Sequence, residues 1–200
     1  LNNLLDELEA EPQSDILAYR GAHRLRRVRQ ALKVDDRAPS LLREGGAYLI
    51  TGGIGGASFI IARHLAEHFN AKLILCTRRS LPKRSEWPRL RQNPLLAPEA
   101  TSMLDRIAEL EAAGAEVEII ESDITYLDTM RDGLREARAR FGPIDGVFHT
   151  AGTLRDGLLF EKDLLTIEEV FAPKVDGTLT LFNLLREAPP RFILLFSSIS

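Results

Sequence analysis

Ala47-Tyr48-Leu49-Ile50-Thr51-Gly52-Gly53-Ile54-Gly55-Gly56-Ala57-Ser58 is the stretch that decides the fold. Ala47–Thr51 is an apolar run of strand length, a glycine cluster follows, and a helical stretch runs from about Ala57 to Phe69. A strand that breaks at a glycine-rich turn and continues as a helix opens many nucleotide-binding α/β sheets. The glycines let the backbone approach a phosphate, and the helix N-terminus offers it unpaired N–H groups. A plain structural turn is the alternative reading, since tight turns collect glycine anyway. The strand before and the helix after favour the dinucleotide site. The candidate residues are Thr51, Gly52, Gly53, Ile54, Gly55 and Gly56. One departure stands out: the third glycine of G-x-G-x-x-G, counted from Gly53 and Gly55, falls on Ser58. Glycine there lets the helix pack closely on the sheet, and serine fits with at most a slight shift.

Strand and helix alternate outward from this unit. Lys72–Thr77 reads as the second strand, and an insertion with Pro82, Pro88, Pro94 and Pro98 delays a helix near Glu99–Ala113. Gly114 is placed to cap that helix, and Glu116–Ile120 is the third strand. A helix at about Leu127–Arg140, a strand at Ile144–Thr150, a helical stretch at Pro173–Glu187 and a strand at Phe192–Phe196 follow. Strands separated by helices, several apolar on both faces, predict an α/β fold with a Rossmann-like, doubly wound parallel sheet. Five strands are read where six are usual, so the sheet is expected to be incomplete at the C-terminal end. Upstream, Leu1, Leu4, Leu5 and Leu8 have helical spacing, Ile16–Arg20 reads as a strand, and a basic segment carries Arg24, Arg26, Arg27, Arg29 and Lys33. Residues 1–40 are too few for a core and read as the end of another unit plus a linker, with the nucleotide-binding domain over 41–200.

Composition narrows the class. With 200 residues, 44% hydrophobic and 28% charged, the chain is globular and of one-domain size. Its apolar runs are far shorter than the ~20 residues of a membrane span, so no membrane partner is expected. Leu1–Pro12 has no basic cap or cleavage site of a signal peptide, and a lone cysteine, Cys76, suits a reducing cytoplasm. Net charge is -3, from 26 basic and 29 acidic residues, and the Arg20–Lys33 run lacks interleaved stacking aromatics, so no nucleic acid is expected. His64 and His68 have i, i+4 spacing but no glutamate of the H-E-x-x-H pattern, so no metal is expected either.

The choice of dinucleotide is read at the end of the second strand. An NAD site places Asp or Glu about 20 residues past the turn, on the ribose 2′-hydroxyl. Here the sequence is Thr77-Arg78-Arg79, and guanidinium groups pair with a 2′-phosphate. NADP(H) is therefore the expected cofactor, against a solvated basic loop as the plainer reading.

In order, the turn, these arginines, Ser122-Asp123-Ile124, His149-Thr150-Ala151-Gly152, Ala172-Pro173-Lys174-Val175 and Phe196-Ser197-Ser198 make a combination more specific than any one motif. From Ile16 to Ser200 the chain resembles the ketoreductase domain of modular type I polyketide synthases, a branch of the short-chain dehydrogenase/reductase superfamily. Asp15–Gly21 resembles the end of that family's structural subdomain, and the insertion around Leu81–Trp87 one found in a subset of its members. The resemblance implies reduction of a β-ketoacyl thioester, on the phosphopantetheine arm of an acyl carrier domain, with other synthase domains in cis. It places Asp123 by the adenine, Ile124 among the cofactor-binding residues, Ala151 and Gly152 by the nicotinamide ribose, and Lys174 and Ser198 as catalytic residues, Ser198 preferred over Ser197. The family's catalytic tyrosine is expected about a dozen residues beyond Ser198. Tyr19, Tyr48 and Tyr126 do not match it, so the chain reads as truncated and, alone, inactive. Leu154-Arg155-Asp156 resembles the Leu-Asp-Asp fingerprint of B-type reduction to a D-configured hydroxyl, with Asp156 kept and Arg155 in place of the first aspartate. A reductively silent nucleotide-binding scaffold is the other reading.

Each residue also has a plainer role. Lys174 after Pro173 can be a solvated residue at a helix start, Ser198 a strand terminator, and Asp123 a cap. His149 reads as a satisfied near-core histidine rather than a base, and Cys76 as a small hydrophobe.

Overall fold

The computed structural model describes residues 2–9, 16–31, 40–91 and 98–197. It divides into two compact units, Leu1–Pro39 and Ser40–Ser200. The smaller holds helix α1 (Asn2–Glu9) and an antiparallel hairpin of β1 (Leu17–Arg20) and β2 (His23–Arg26). Gly21 turns the hairpin at φ +60. Strand β2 lies inside what the sequence presents only as a run of charge. Glu7 of α1 accepts hydrogen bonds from Tyr19 and Arg24 of the two strands.

The larger unit begins with β3 (Ala47–Thr51), α2 (Gly56–Phe69) and β4 (Lys72–Thr77). After them come α3 (Trp87–Arg91), α4 (Pro98–Ala112), β5 (Glu116–Glu121), α5 (Leu127–Phe141) and β6 (Gly146–His149), then α6 (Leu164–Lys174), α7 (Asp176–Leu185) and β7 (Phe192–Leu195). The five strands form one parallel sheet in the order β5-β4-β3-β6-β7. This is the doubly wound α/β fold expected from the sequence. Successive residues of a strand point to opposite faces. Thus Tyr48 and Ile50 pack with Leu65, Leu104 and Ile107 of α2 and α4, while Leu49 packs with Met130, Leu134 and Leu181 of α5 and α7. Strand β3 is buried throughout, which is why it reads as an unbroken apolar run. Asp145 ties its start to β6, accepting from Ala47 N at 2.9 Å and pairing with Arg43 at 3.0 Å.

Two segments of the larger unit also differ from the sequence expectation. The stretch Pro173–Glu187 is not one helix with Lys174 near its start. Instead α6 ends at Lys174, and α7 begins at Asp176. Asp163 caps α6, its side chain accepting from Thr166 N at 2.7 Å. The apolar residues Leu164, Leu165 and Phe171 of α6 are exposed, so no buried stripe advertises the helix. Pro173 sits in its last turn, where a missing N–H removes one helical hydrogen bond. The insertion also contains a short 3₁₀ turn, Arg84–Glu86, before α3. Trp87 anchors it in the core, with Nε1 donating to Pro82 O at 2.9 Å.

Candidate functional site

The ends of β3, β4, β5 and β6 deliver four loops to one edge of the sheet, where the strand order reverses between β3 and β6. Ligands of open α/β sheets occupy this crevice. Here it is a cleft of ≈ 700 Å³. Gly52, Gly53, Ile54, Gly55, Arg78, Arg79, Asp123, Ile124, Ala151 and Gly152 all line it. Thr51 and Gly56 flank the turn without lining the cleft, and neither do Lys174 or Asp156. Ser198 lies outside the described residues.

The turn is built for a bare backbone. Gly52 and Gly53 have φ +104 and +83, and Gly53 N docks on β4 by donating to Cys76 O at 2.9 Å. A Cβ on Gly52 would come within 2.6 Å of Thr150 Oγ1 and 2.8 Å of Ala151 N, so no side chain fits there. Helix α2 opens at Gly56 with Gly55 as N-cap and no side-chain cap bond. Its first-turn N–H groups, which have no intrahelical acceptor, therefore open at the glycine turn.

Behind the turn, two hydrogen-bonded chains of side chains join α2, β3, β6 and α6. Thr150 Oγ1 donates to the Thr51 carbonyl and accepts from Ser58 Oγ at 2.7 Å. Ser58 is buried and turns its hydroxyl towards the sheet. His149 is buried too, with 1% of its surface exposed. A carbonyl can only accept, so Nε2 carries the hydrogen and donates to Pro173 O at 2.9 Å. Nδ1 then accepts from Thr51 Oγ1 at 2.7 Å. Burial is the main cause that holds the imidazole below its ordinary pKa, with the Lys174 charge adding to it.

At the end of β4 the two arginines differ. Arg78 pairs loosely with Asp123 Oδ2 at 3.9 Å. Arg79 has its backbone N fixed by Thr77 Oγ1 at 3.1 Å, and its guanidinium pairs with no carboxylate among the described residues. Asp123 also accepts at Oδ1 from Thr125 N and Oγ1, a turn that shapes the loop after β5. Cys76 lies in β4, and burial pushes its thiol up to about 12.

On the other wall Lys174 donates from Nζ to Phe196 O at 2.8 Å, tying the end of α6 to the residues after β7. A Cβ on Gly152 would lie 3.2 Å from Lys174 Cε, so the bare Gly152 leaves the lysine its place. Asp156 is exposed in the loop before α6, and its neighbour Arg155 pairs with Glu169 of α6 at 2.9 Å.

The family model of the KR domain matches residues 46–200. The chain belongs to the KR, or ketoreductase, domain family. It is 31% identical over 194 residues, 97% of its length, to polyketide synthase PksM of Bacillus subtilis, and 32% identical over 86% of its length to the 5-methyl-1-naphthoate synthase of Streptomyces sahachiroi. It spans 4% and 9% of those two proteins. Among solved structures, a ketoreductase domain from the bacillaene assembly line superposes over 99% of the chain with a TM-score of 0.73 at 26% identity. An N-terminal ketoreductase from the macrolactin assembly line does so over 88%, with a TM-score of 0.66 at 31% identity. The chain covers 43% and 31% of these two structures.

Several residues of this KR domain's cleft escaped the sequence reading. Ser102, Met103 and Arg106 reach the cleft from α4, across the insertion, and Glu169 reaches it from α6. Ser102 and Arg106 are four residues apart, hence on one helix face, but nothing in their spacing says that α4 borders the turn. No helix among the described residues is long and apolar enough to cross a membrane, and no three His, Cys, Asp or Glu residues among them cluster as metal ligands.

Proposed function

We propose that this domain reduces a β-ketoacyl thioester, carried on the phosphopantetheine arm of an acyl carrier domain, to the β-hydroxyacyl thioester, using NADPH. The observation that carries the reading is the cleft's composition: a glycine-rich turn at an open helix N-terminus, with Arg78 and Arg79 and no carboxylate at the end of β4. The residues present fit the cofactor. A Cβ on Gly53 would meet nothing nearer than Thr77 Oγ1 at 3.9 Å, which leaves the turn bare where a pyrophosphate would lie. The first-turn N–H groups of α2 bind that group, Arg78 and Arg79 the 2′-phosphate, Asp123 and Ile124 the adenine, and Ala151 and Gly152 the nicotinamide ribose. When bound, NADPH supplies the hydride.

The chain's own residues set up the other half of the reaction. Negative charge develops on the ketone oxygen, and Ser198 holds that oxygen by a hydrogen bond. Lys174 contributes an ammonium to the same region and favours the ionised form of a phenolic proton donor. None of the three tyrosines of the chain lines the cleft. Tyr48 is buried with its hydroxyl on Arg43, and Tyr126 is exposed at the start of α5. These 200 residues by themselves are therefore expected to bind cofactor without turning substrate over. A reductively silent nucleotide-binding scaffold is the second reading, favoured by Lys174, which lies outside the cleft lining with its Nζ held by Phe196 O at 2.8 Å. Asp156 is assigned to stereocontrol, with a D-configured β-hydroxyl as the expected product. The test is Ser198→Ala in the intact protein, with the oxidation level of the carrier-bound product read by mass spectrometry. Accumulation of the β-ketone supports reduction at this site, and an unchanged product sinks it in favour of the silent scaffold.

A further inference from the structure

We infer that Arg106 of α4 is a third arginine for the 2′-phosphate, acting beside Arg79; this rests on the NADP(H) reading above. The guanidinium is already positioned. Nη1 donates to the Ile54 carbonyl at 2.8 Å, in the middle of the phosphate turn, and the group lies over the Phe59 ring at 5.2 Å. A Cβ built on Gly55 would lie 3.5 Å from the same Nη1, so the arginine packs on a part of the turn that has no side chain. Anchoring by a carbonyl and a ring removes rotamer freedom in advance of binding, which is how a preorganised site gains affinity.

Its remaining hydrogen-bonding capacity points to an anion. A guanidinium stays charged and carries five N–H donors, of which Ile54 takes one. Arg43, Arg63, Arg84, Arg131 and Arg155 each have a carboxylate partner, whereas Arg106 has none among the described residues. It is half-buried in the wall of the cleft. A cation in such a place, fixed but not neutralised, suits a phosphate better than solvent.

Position selects which phosphate. The pyrophosphate belongs to the N–H groups of α2, which begins at Gly56. Arg106 instead contacts Ile54, next to Gly53, whose N–H docks the turn on the end of β4 at Cys76. The end of that strand is where the adenosine ribose and its 2′-substituent lie. Arg78 is drawn towards Asp123, so Arg79 and Arg106 are the arginines of the cleft left without a carboxylate among the described residues. Ser102, one helical turn before Arg106 and also lining the cleft, adds a hydroxyl on the same face.

The test is a titration of the intact protein with NADPH and NADH, following nucleotide fluorescence, for the wild type, Arg79→Ala, Arg106→Ala and Arg106→Gln. Glutamine removes the charge while keeping a polar, helix-favouring side chain at the position, and it decides the matter where alanine unfolds the domain. Losing one charge-assisted hydrogen bond weakens NADPH by at least about tenfold, with NADH expected to stay within about threefold. Equal loss of both nucleotides overturns the inference, because Arg106 then serves the turn or the pyrophosphate. Unchanged binding of both overturns it too. A wild type with no preference for NADPH refutes the NADP(H) reading itself, an outcome separate from a wild type that prefers NADPH while the Arg106 variants keep that preference.

Discussion

Replacing Ser58 by the glycine of the G-x-G-x-x-G pattern is expected to weaken this domain rather than improve it. Ser58 is buried in the first turn of α2, and its hydroxyl donates to Thr150 Oγ1, which passes its own hydrogen to the Thr51 carbonyl. Ser58→Ala deletes one buried hydrogen bond, worth about 0.5–1.5 kcal/mol net, and leaves no donor orphaned because Thr150 keeps its bond to Thr51. Alanine returns a few tenths of a kcal/mol through its better helix propensity. Ser58→Gly loses the same bond and gives up about 0.5 kcal/mol of propensity relative to serine, so it falls roughly 1–2 kcal/mol below wild type. For a domain of this size that is a drop in Tm of roughly 2–8 °C. The order expected is wild type above alanine above glycine, measured by circular-dichroism melts of the intact protein with NADPH titrations alongside. Cofactor affinity should change little, since the hydroxyl points at Thr150. A higher Tm for Ser58→Gly, or NADPH bound more than about fivefold tighter, would refute the reasoning and mark Ser58 as a spacer that keeps α2 from its best packing.

Gly52→Ala should destabilise more severely, because its Cβ meets backbone at 2.8 Å and a φ of +104 is strained for alanine. A strained residue alone costs about 1–3 kcal/mol, and both Tm and cofactor binding should fall. His149 adds a pH dependence: its pKa is lowered in the fold, so the unfolded chain takes up the proton first. Its contribution is complete above the ordinary value near 6.5 and is lost as pH falls from there, at no more than about 1.4 kcal/mol per pH unit. Removing it in His149→Gln should flatten the stability profile between about pH 5 and 7, and a profile as steep as wild type would place the slope elsewhere. Lys174→Met should lower turnover of the intact protein by about 10²-fold or more while NADPH affinity is kept. Weakened binding with unchanged turnover would remove the lysine from the chemistry. Cys76, buried and with its thiol pushed up to about 12, should resist iodoacetamide at pH 8 until the protein unfolds.

What the sequence determined by itself is the sheet and the glycine turn at its edge. Ala47–Thr51 and Lys72–Thr77 are covered by helices on both faces, so burial writes them as continuous apolar runs that a reader can recognise. Gly52 and Gly53 are legible for a similarly local reason, because positive φ and backbone approach admit few other residues. Tertiary structure decided the rest. The chain does not advertise α6, whose Leu164, Leu165 and Phe171 face outward, and so Lys174 reads as the start of a helix when it ends one. It does not say that Ser58, 92 residues from Thr150 along the chain, turns a departure from pattern into a hydrogen bond. Nor does it say that α4 lays Arg106 against Ile54, 52 residues away. Local pattern records what a residue needs from its own backbone and burial. Which side chains meet at the cleft depends on how helices pack across the sheet, and no short window of sequence contains that packing.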